Sequence, residues 1–259
     1  MRKMRAAGLN ALETYVAWNL HEYEKGKFDF GGGPSEMSDF LYLEEYLQTA
    51  KEEDLFVIVR PGPYICSEYE FGGFPSWILR DMTNQNYFLR TNDPTYMKHV
   101  LDWFKVLMPV LAKHQFINNG PIIAVQVENE YGNFGNPELD YMEHLRQIII
   151  GEGVNQTLLV SSDNPSAMEY WDGWFDTVGY NRSTWYTKDA VSQMYEDILK
   201  FPASANIYMF LGGTNFRFLS VSNAIWNNSD FDPVTTIYDY DAALSEAGDY
   251  TVKYEVIKT

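Results

Sequence analysis

Two rhythms of apolar and polar residues run along this chain, one suited to buried strands and one to helices. The densest apolar stretch is PIIAVQVENEYG, residues 121–132. Ile122, Ile123, Ala124, Val125 and Val127 form a β-branched, nearly unbroken run, as in a strand covered on both faces of a parallel sheet. The run ends in Glu128, Asn129 and Glu130. Carboxylates are costly to bury, so this strand is expected to open into a cleft at its C-terminal end. An ion-paired structural acid fits the same pattern equally well.

Five further segments read as strands: 11–18 (ALETYVAW), 55–60 (LFVIVR), 157–162 (TLLVSS), 165–171 (PSAMEYW) and 205–211 (ANIYMFL). Between them the apolar spacing turns helical. Residues 1–7 read as a helix with Gly8 as its stop signal, and Phe40, Leu43, Tyr46 and Leu47 predict another through about Glu53. Asp93-Pro94 predicts an N-cap followed by proline at the first helical position. Val100, Trp103, Phe104, Leu107 and Leu111 then share one face, with a kink expected at Pro109. Asn136-Pro137 opens a helix with Met142, Leu145, Ile148 and Ile149 inward, and Val191, Met194 and Ile198 mark one more. This alternation predicts an α/β fold around a parallel sheet.

One junction breaks the pattern. Only Asp163 and Asn164 separate the last two neighbouring strand candidates, whereas parallel strands need a crossover of about a dozen residues or more. Either 157–162 and 165–171 form a hairpin, or a segment is absent between them.

Composition narrows the function. The 259 residues hold 46% apolar side chains, enough for an ordinary core, and show no repeat, linker or domain boundary, so they read as one domain. The net charge of −17 argues against nucleic-acid and anionic-membrane partners, which need a basic footprint. No run of 18 apolar residues predicts a membrane span. The first fifteen residues lack the apolar core of a signal peptide. The single cysteine, Cys66, excludes an internal disulfide and leaves the redox compartment open. The loop Gly31-Gly-Gly-Pro34 lacks the preceding strand that a phosphate cradle requires. Sequons stand at Asn155, Asn181 and Asn227 and matter only in a secreted chain. Seven Trp and 19 Tyr supply core rings, and also the flat faces on which a sugar stacks.

Two acids then stand out, Glu130 and Glu169, each at the end of a strand candidate. Hydrolysis of a glycosidic bond needs one carboxylic acid to protonate the leaving oxygen and a second carboxylate to attack carbon or activate water. Their environments must keep one protonated and the other ionised. Two unrelated surface acids would leave the same trace in the sequence.

The segments AAGLNALETYVAWNLHE, VIVRPGPYICSEYEFGGFPSW, GPIIAVQVENEYG, MEYWDGWFD, NIYMFLGGTNF and YDYDAALSEAGDYT lie in order along nearly the whole chain. Together they resemble the retaining β-galactosidases of glycoside hydrolase family 35, in particular the animal β-galactosidase-like branch. The resemblance implies a (β/α)8 TIM barrel and a terminal β-linked galactose substrate, on a glycan or a small β-galactoside. It implies no cofactor and no metal. Glu130 in VENEYG matches the general acid/base, Glu169 in MEYWDGW the nucleophile, and Asn129 a residue bonding the sugar near its 2-hydroxyl. Tyr15, Cys66, Ser67 and Glu68 match the galactose-binding wall, with Ser67 where the family usually has alanine. Tyr208 and Tyr238 match further sugar contacts.

Departures accompany the match. The family has a strand before the helix at Met1, and a strand and helix between the positions of Asp163 and Ser166, where the chain geometry already breaks. C-terminal β-rich domains and a secretion signal, which go with a lysosomal or extracellular location, have no counterpart here. The expectation is therefore a partial barrel domain over 1–259. It is either an active galactosidase or an inactive truncated relative that retains galactose binding at most. Oligomeric state is left open.

Overall fold

A computed structural model describes residues 1–135, 137–163, 177–178, 187–201, 204–224, 231–238 and 241–259. The chain divides into two compact units. The first comprises Asn10–Ser67 and Phe71–Asn164, with Met1; the second comprises Arg2–Leu9, Glu68–Glu70 and Pro165–Thr259.

The first unit is α/β, as the alternation predicts. Its four strands are β1 (Ala11–Tyr15), β2 (Phe56–Arg60), β3 (Ile122–Gln126) and β4 (Leu158–Val160). They pair in that order, all parallel, with Tyr15 opposite Arg60, Val59 opposite Val125, and Gln126 opposite Val160. Helices make every crossover, as parallel neighbours require. These are α1 (Trp18–His21) and α2 (Leu43–Glu52) after β1, α3 (Ser76–Gln85) and α4 (Pro94–Lys113) after β2, and α5 (Leu139–Gly151) after β3. Val57, Val59, Ile122 and Val125 are fully buried, as are Leu47 and Ala50 of α2, Trp103, Phe104, Leu107 and Leu111 of α4, and Leu145 and Ile149 of α5. Except for Ala50, these are positions that the apolar spacing picks out, but Phe40 and Tyr46 of the same spacing are exposed and Phe40 precedes α2.

Local signals explain the ends of the elements. Asp93 caps α4, its carboxylate accepting from the N–H of Thr95 at 2.8 Å and of Tyr96 at 3.4 Å, with Pro94 next in the chain. The helix runs on through Pro109. Pro109 and Lys105 are exposed, so the carbonyl that proline leaves without a donor sits on the hydrated side. Strand β1 is shorter than the alternation of 11–18 suggests. After Val16, which donates to the Arg60 carbonyl at 3.0 Å, the chain turns into α1 and buries Trp18 in a stack with Trp103, 6.1 Å between centroids.

The second unit holds helices α6 (Arg2–Ala6), α7 (Lys188–Leu199) and α8 (Val252–Lys258), and an antiparallel pair, β5 (Ser222–Ala224) with β6 (Phe231–Pro233). Its core gathers Ala7, Phe210, Ala243, Leu244 and Tyr254. The expected strand at 205–211 is not formed: residues 204–210 are irregular and Leu211 makes an isolated parallel bridge to Leu244. A short apolar run carries no periodicity that separates a strand from a packed loop. Here it buries Phe210 and leaves Leu211 largely exposed. The strand expected at 165–171, with Glu169, and the helix start at Asn136 lie outside the described residues. No described helix is long and apolar enough to cross a membrane.

Candidate active site

Because the first unit's strands are parallel, Tyr15, Arg60, the β3 tip and the β4 tip all fall at one edge of the sheet, the edge where α/β folds place their chemistry. The β3 tip is suspended between its neighbours. Val127 donates to the Val160 carbonyl at 2.8 Å, Glu128 to Gly62 at 3.1 Å and Glu130 to Ser162 at 2.9 Å. Glu128 and Glu130 both adopt left-handed backbone, φ 62° and 49°. That conformation costs a non-glycine residue about 1–2 kcal/mol, so the surroundings must hold it.

Arg60, at the end of β2, donates a short hydrogen bond to the side-chain oxygen of Asn129. Its guanidinium also lies 4.5 Å over the Tyr15 ring and 3.8 Å from the Glu13 carboxylate. The structure therefore brings together Tyr15 and Asn129, two predicted residues, through an arginine that the sequence reading took only as the last residue of a strand.

Glu128 turns away from solvent, 2% exposed. Its Oε1 accepts from Arg90 Nε at 3.2 Å and the Tyr141 hydroxyl at 2.9 Å; its Oε2 accepts from a terminal Arg90 nitrogen and the Asn129 N–H, each at 2.8 Å. Burial pushes this carboxyl above its ordinary range, while Arg90, the Asn129 amide and Tyr141 pull it back. Three of the four donors are N–H groups unable to accept, so the ionised form fits this cage. Burial works against the charge of Arg90, but Glu128 beside it holds the guanidinium above its usual value. Burial also drives the Tyr141 hydroxyl far up, which keeps it a donor. This is the ion-paired acid that the sequence pattern had left as one of two readings.

Cys66 and Ser67 follow β2 in a left-handed run, φ 56° and 60°, both half-buried. Burial raises the Tyr64 hydroxyl, and the Cys66 thiol beside it raises it further. Gly72 packs against Tyr64 so closely that a Cβ there would lie 1.9 Å from the ring. That contact explains a glycine in this loop.

Three predicted residues meet in the second unit. The Tyr238 hydroxyl donates a short bond to Glu68, and lies 3.1 Å from the Tyr208 hydroxyl. Tyr238 is buried, 3% exposed. Glu169 lies outside the described residues. Among the described residues no three His, Cys, Asp or Glu side chains converge as a metal site. A cavity of about 320 Å³ in the first unit, lined by Glu22, Lys25, Gly26, Phe28, Trp77, His99 and Asp102, contains none of the predicted residues. Sequence reasoning missed Arg60, Arg90 and Tyr141. Arg90 and Tyr141 stand far from the motif they support, and no spacing rule links them to it.

The family model described as Glycosyl hydrolases family 35 matches this chain over residues 1–168 and 165–259. "Beta-galactosidase-1-like protein 3" of Rattus norvegicus is 39% identical over 292 residues, covering 97% of this chain and 43% of that protein. "Beta-galactosidase-1-like protein" of Mus musculus is 39% identical over 299 residues, covering 99% and 44%. "Beta-galactosidase" of Bos taurus is 38% identical over 299 residues, covering 99% and 43%. The chain thus spans less than half the length of these relatives. With the family model matched from one end to the other, and VENEYG at the mouth of a parallel sheet, the chain belongs to the glycosyl hydrolases of family 35.

Proposed function

We propose that this chain is a retaining glycoside hydrolase that releases terminal β-linked galactose from a galactose-terminated glycan or a small β-galactoside. One observation carries the reading. Asn129 and Glu130 cap β3 at the edge where β1, β2 and β4 also end, and Arg60 grips the Asn129 side chain beside Tyr15. In this reading Glu169 attacks the anomeric carbon while Glu130 protonates the departing oxygen. The glycosyl ester so formed is opened by water, from which Glu130, now a base, takes a proton. Two inversions at one carbon leave its configuration unchanged. The scheme requires the two carboxyl groups about 5–5.5 Å apart. Asn129 bonds the sugar near its 2-hydroxyl, and Tyr15, Cys66, Ser67, Glu68, Tyr208 and Tyr238 supply further contacts.

The test is release of galactose from a chromogenic β-galactoside by the purified chain, with the product's anomeric form followed by NMR. Retained configuration and loss of turnover in both Glu130→Gln and Glu169→Gln are expected. Turnover that survives both changes, or inverted product, would refute the assignment.

A second reading is a non-catalytic relative that binds galactose. Its motive is the family match, which falls in two pieces meeting at residues 165–168, and alignments to relatives longer than the chain itself. Calorimetric binding of galactose without hydrolysis would favour it.

A further inference from the structure

The backbone of the β3 tip is held by more than its strand neighbours. Glu128 and Glu130 both stand in left-handed conformation on either side of Asn129. Such conformations persist only where the surroundings over-determine them. Arg90 reaches both halves of this tip at once. It pairs in bidentate fashion with the Glu128 carboxylate and, through the same terminal nitrogen, donates to the Asn129 carbonyl at 2.8 Å. That carbonyl belongs to the peptide group joining Asn129 to Glu130.

Every polar group of Asn129 described so far is thereby tied down. Its N–H goes to Glu128, its carbonyl to Arg90 and its side-chain oxygen to Arg60. Arg90 is itself fixed, its guanidinium lying 4.1 Å over the Tyr64 ring and 4.6 Å over Phe134, while its own carbonyl accepts from the Tyr131 hydroxyl at 2.9 Å. Tyr141, against Tyr96 at 3.1 Å, closes the far side of Glu128.

We infer that the buried Arg90–Glu128 pair is a positioning device for Glu130, setting the peptide plane from which the acid/base carboxyl projects. Neither residue touches the reacting atoms; both act through Asn129 and the backbone of Glu130. The inference rests on Glu130 being the acid/base. Its test therefore includes a readout independent of turnover.

The variants are Arg90→Lys, which keeps the charge and loses the fork, Glu128→Gln, which keeps the shape and loses the charge, and Tyr141→Phe. The last removes one donor and leaves the ion pair intact, so it reads the device even where the first two fail to fold. Two quantities are measured in the full chain: kcat and KM on a chromogenic β-galactoside, and the titration of the Glu130 carboxyl by ¹³C NMR, assigned with Glu130→Gln.

A misplacement of about 1 Å costs on the order of 100-fold in rate. Arg90→Lys is expected to lower kcat by about that factor with KM changed by roughly threefold or less, and to move the Glu130 titration. Tyr141→Phe should show the same two changes, smaller. A folded Glu128→Gln or Tyr141→Phe variant with an unmoved Glu130 titration would overturn the inference and leave the pair as a structural ion pair. If the unmodified chain shows no turnover, the proposed activity falls, and the carboxyl titration alone still decides the positioning role.

Discussion

Burial acts on His21 and Glu128 with opposite sign, and each outcome follows from which form carries charge. Glu128 is driven up, toward its neutral form, and is countered by four donors. His21 is driven down, also toward its neutral form, with the field and hydrogen bond of Asp29 opposing only in part. Its Nδ1 lies 2.8 Å from the Asp29 carbonyl, which can only accept, so the proton of the neutral ring sits on Nδ1. The ring stacks on Phe30 with centroids 4.5 Å apart and is 6% exposed. In the unfolded chain a histidine titrates near 6.5, above the depressed folded value. The unfolded state therefore binds more protons on acidification. The stability linked to His21 is complete above about pH 6.5 and is lost as pH falls through the folded value. The urea midpoint should drop between about pH 7.5 and pH 5, and His21→Phe, which keeps a stacking ring, should flatten part of that drop. His99 and His114, both also lowered chiefly by burial, act with the same sign, and Glu22 and Glu128, raised by burial, act with the opposite one. An unchanged slope in the variant would show that His21 titrates alike in the folded and the unfolded chain.

Helix α4 carries the most legible chemistry of any element. Asp93 and Pro94 announce its start, and the spacing of Val100, Trp103, Phe104, Leu107 and Leu111 announces its buried face; all five are fully buried. Asp93→Ala removes the acceptor for two N–H groups and should cost about 1 kcal/mol in denaturant unfolding. Trp103→Ala, in the stack with Trp18, should cost about 3–5 kcal/mol. A cap loss as large as the cavity loss would mean that Asp93 does more than end a helix. Strands β2 and β3 were equally legible, because buried parallel strands are nearly pure hydrocarbon, whereas β1 was read from its alternation and came out shorter. The placing of Asn129 and Glu130 at a strand end was legible too. What holds that strand end was not. Arg90 stands 38 positions before Glu128, and Tyr141 thirteen after it. Their meeting depends on the crossover through α4 and on the start of α5, which no local pattern encodes. The 205–211 segment failed for the converse reason, since seven apolar-rich residues suit a packed loop as well as a strand.

At the scale of the whole molecule, the junction after β4 decides how much of the family's barrel this chain can build. Strand β4 ends at Val160, and the chain beyond it is anchored at Ser162, which accepts from Glu130, and at Asp163, which accepts from Gly132 at 2.7 Å. These contacts brace the loop that carries Glu130. The family match divides at residues 165–168, and the alignment to the bovine "Beta-galactosidase" runs over 299 residues against a chain of 259. Relatives therefore carry residues with no counterpart here. A parallel strand following β4 needs a crossover of about a dozen residues or more, which the spacing between Ser162 and Pro165 does not supply. Catalytic carboxyls have to be held within about 0.5 Å of productive geometry. A chimera with the bovine segment inserted between Asp163 and Ser166 should accordingly melt higher than the natural chain. It should also turn over a β-galactoside on the order of 100-fold faster, the scale of rate lost to a misplacement of about 1 Å. Equal rates in the two proteins would mean that the shorter chain already brings Glu169 to Glu130, and that the segment is dispensable for chemistry. A higher melting temperature without added turnover would place the segment in the frame of the barrel and outside the geometry of the site.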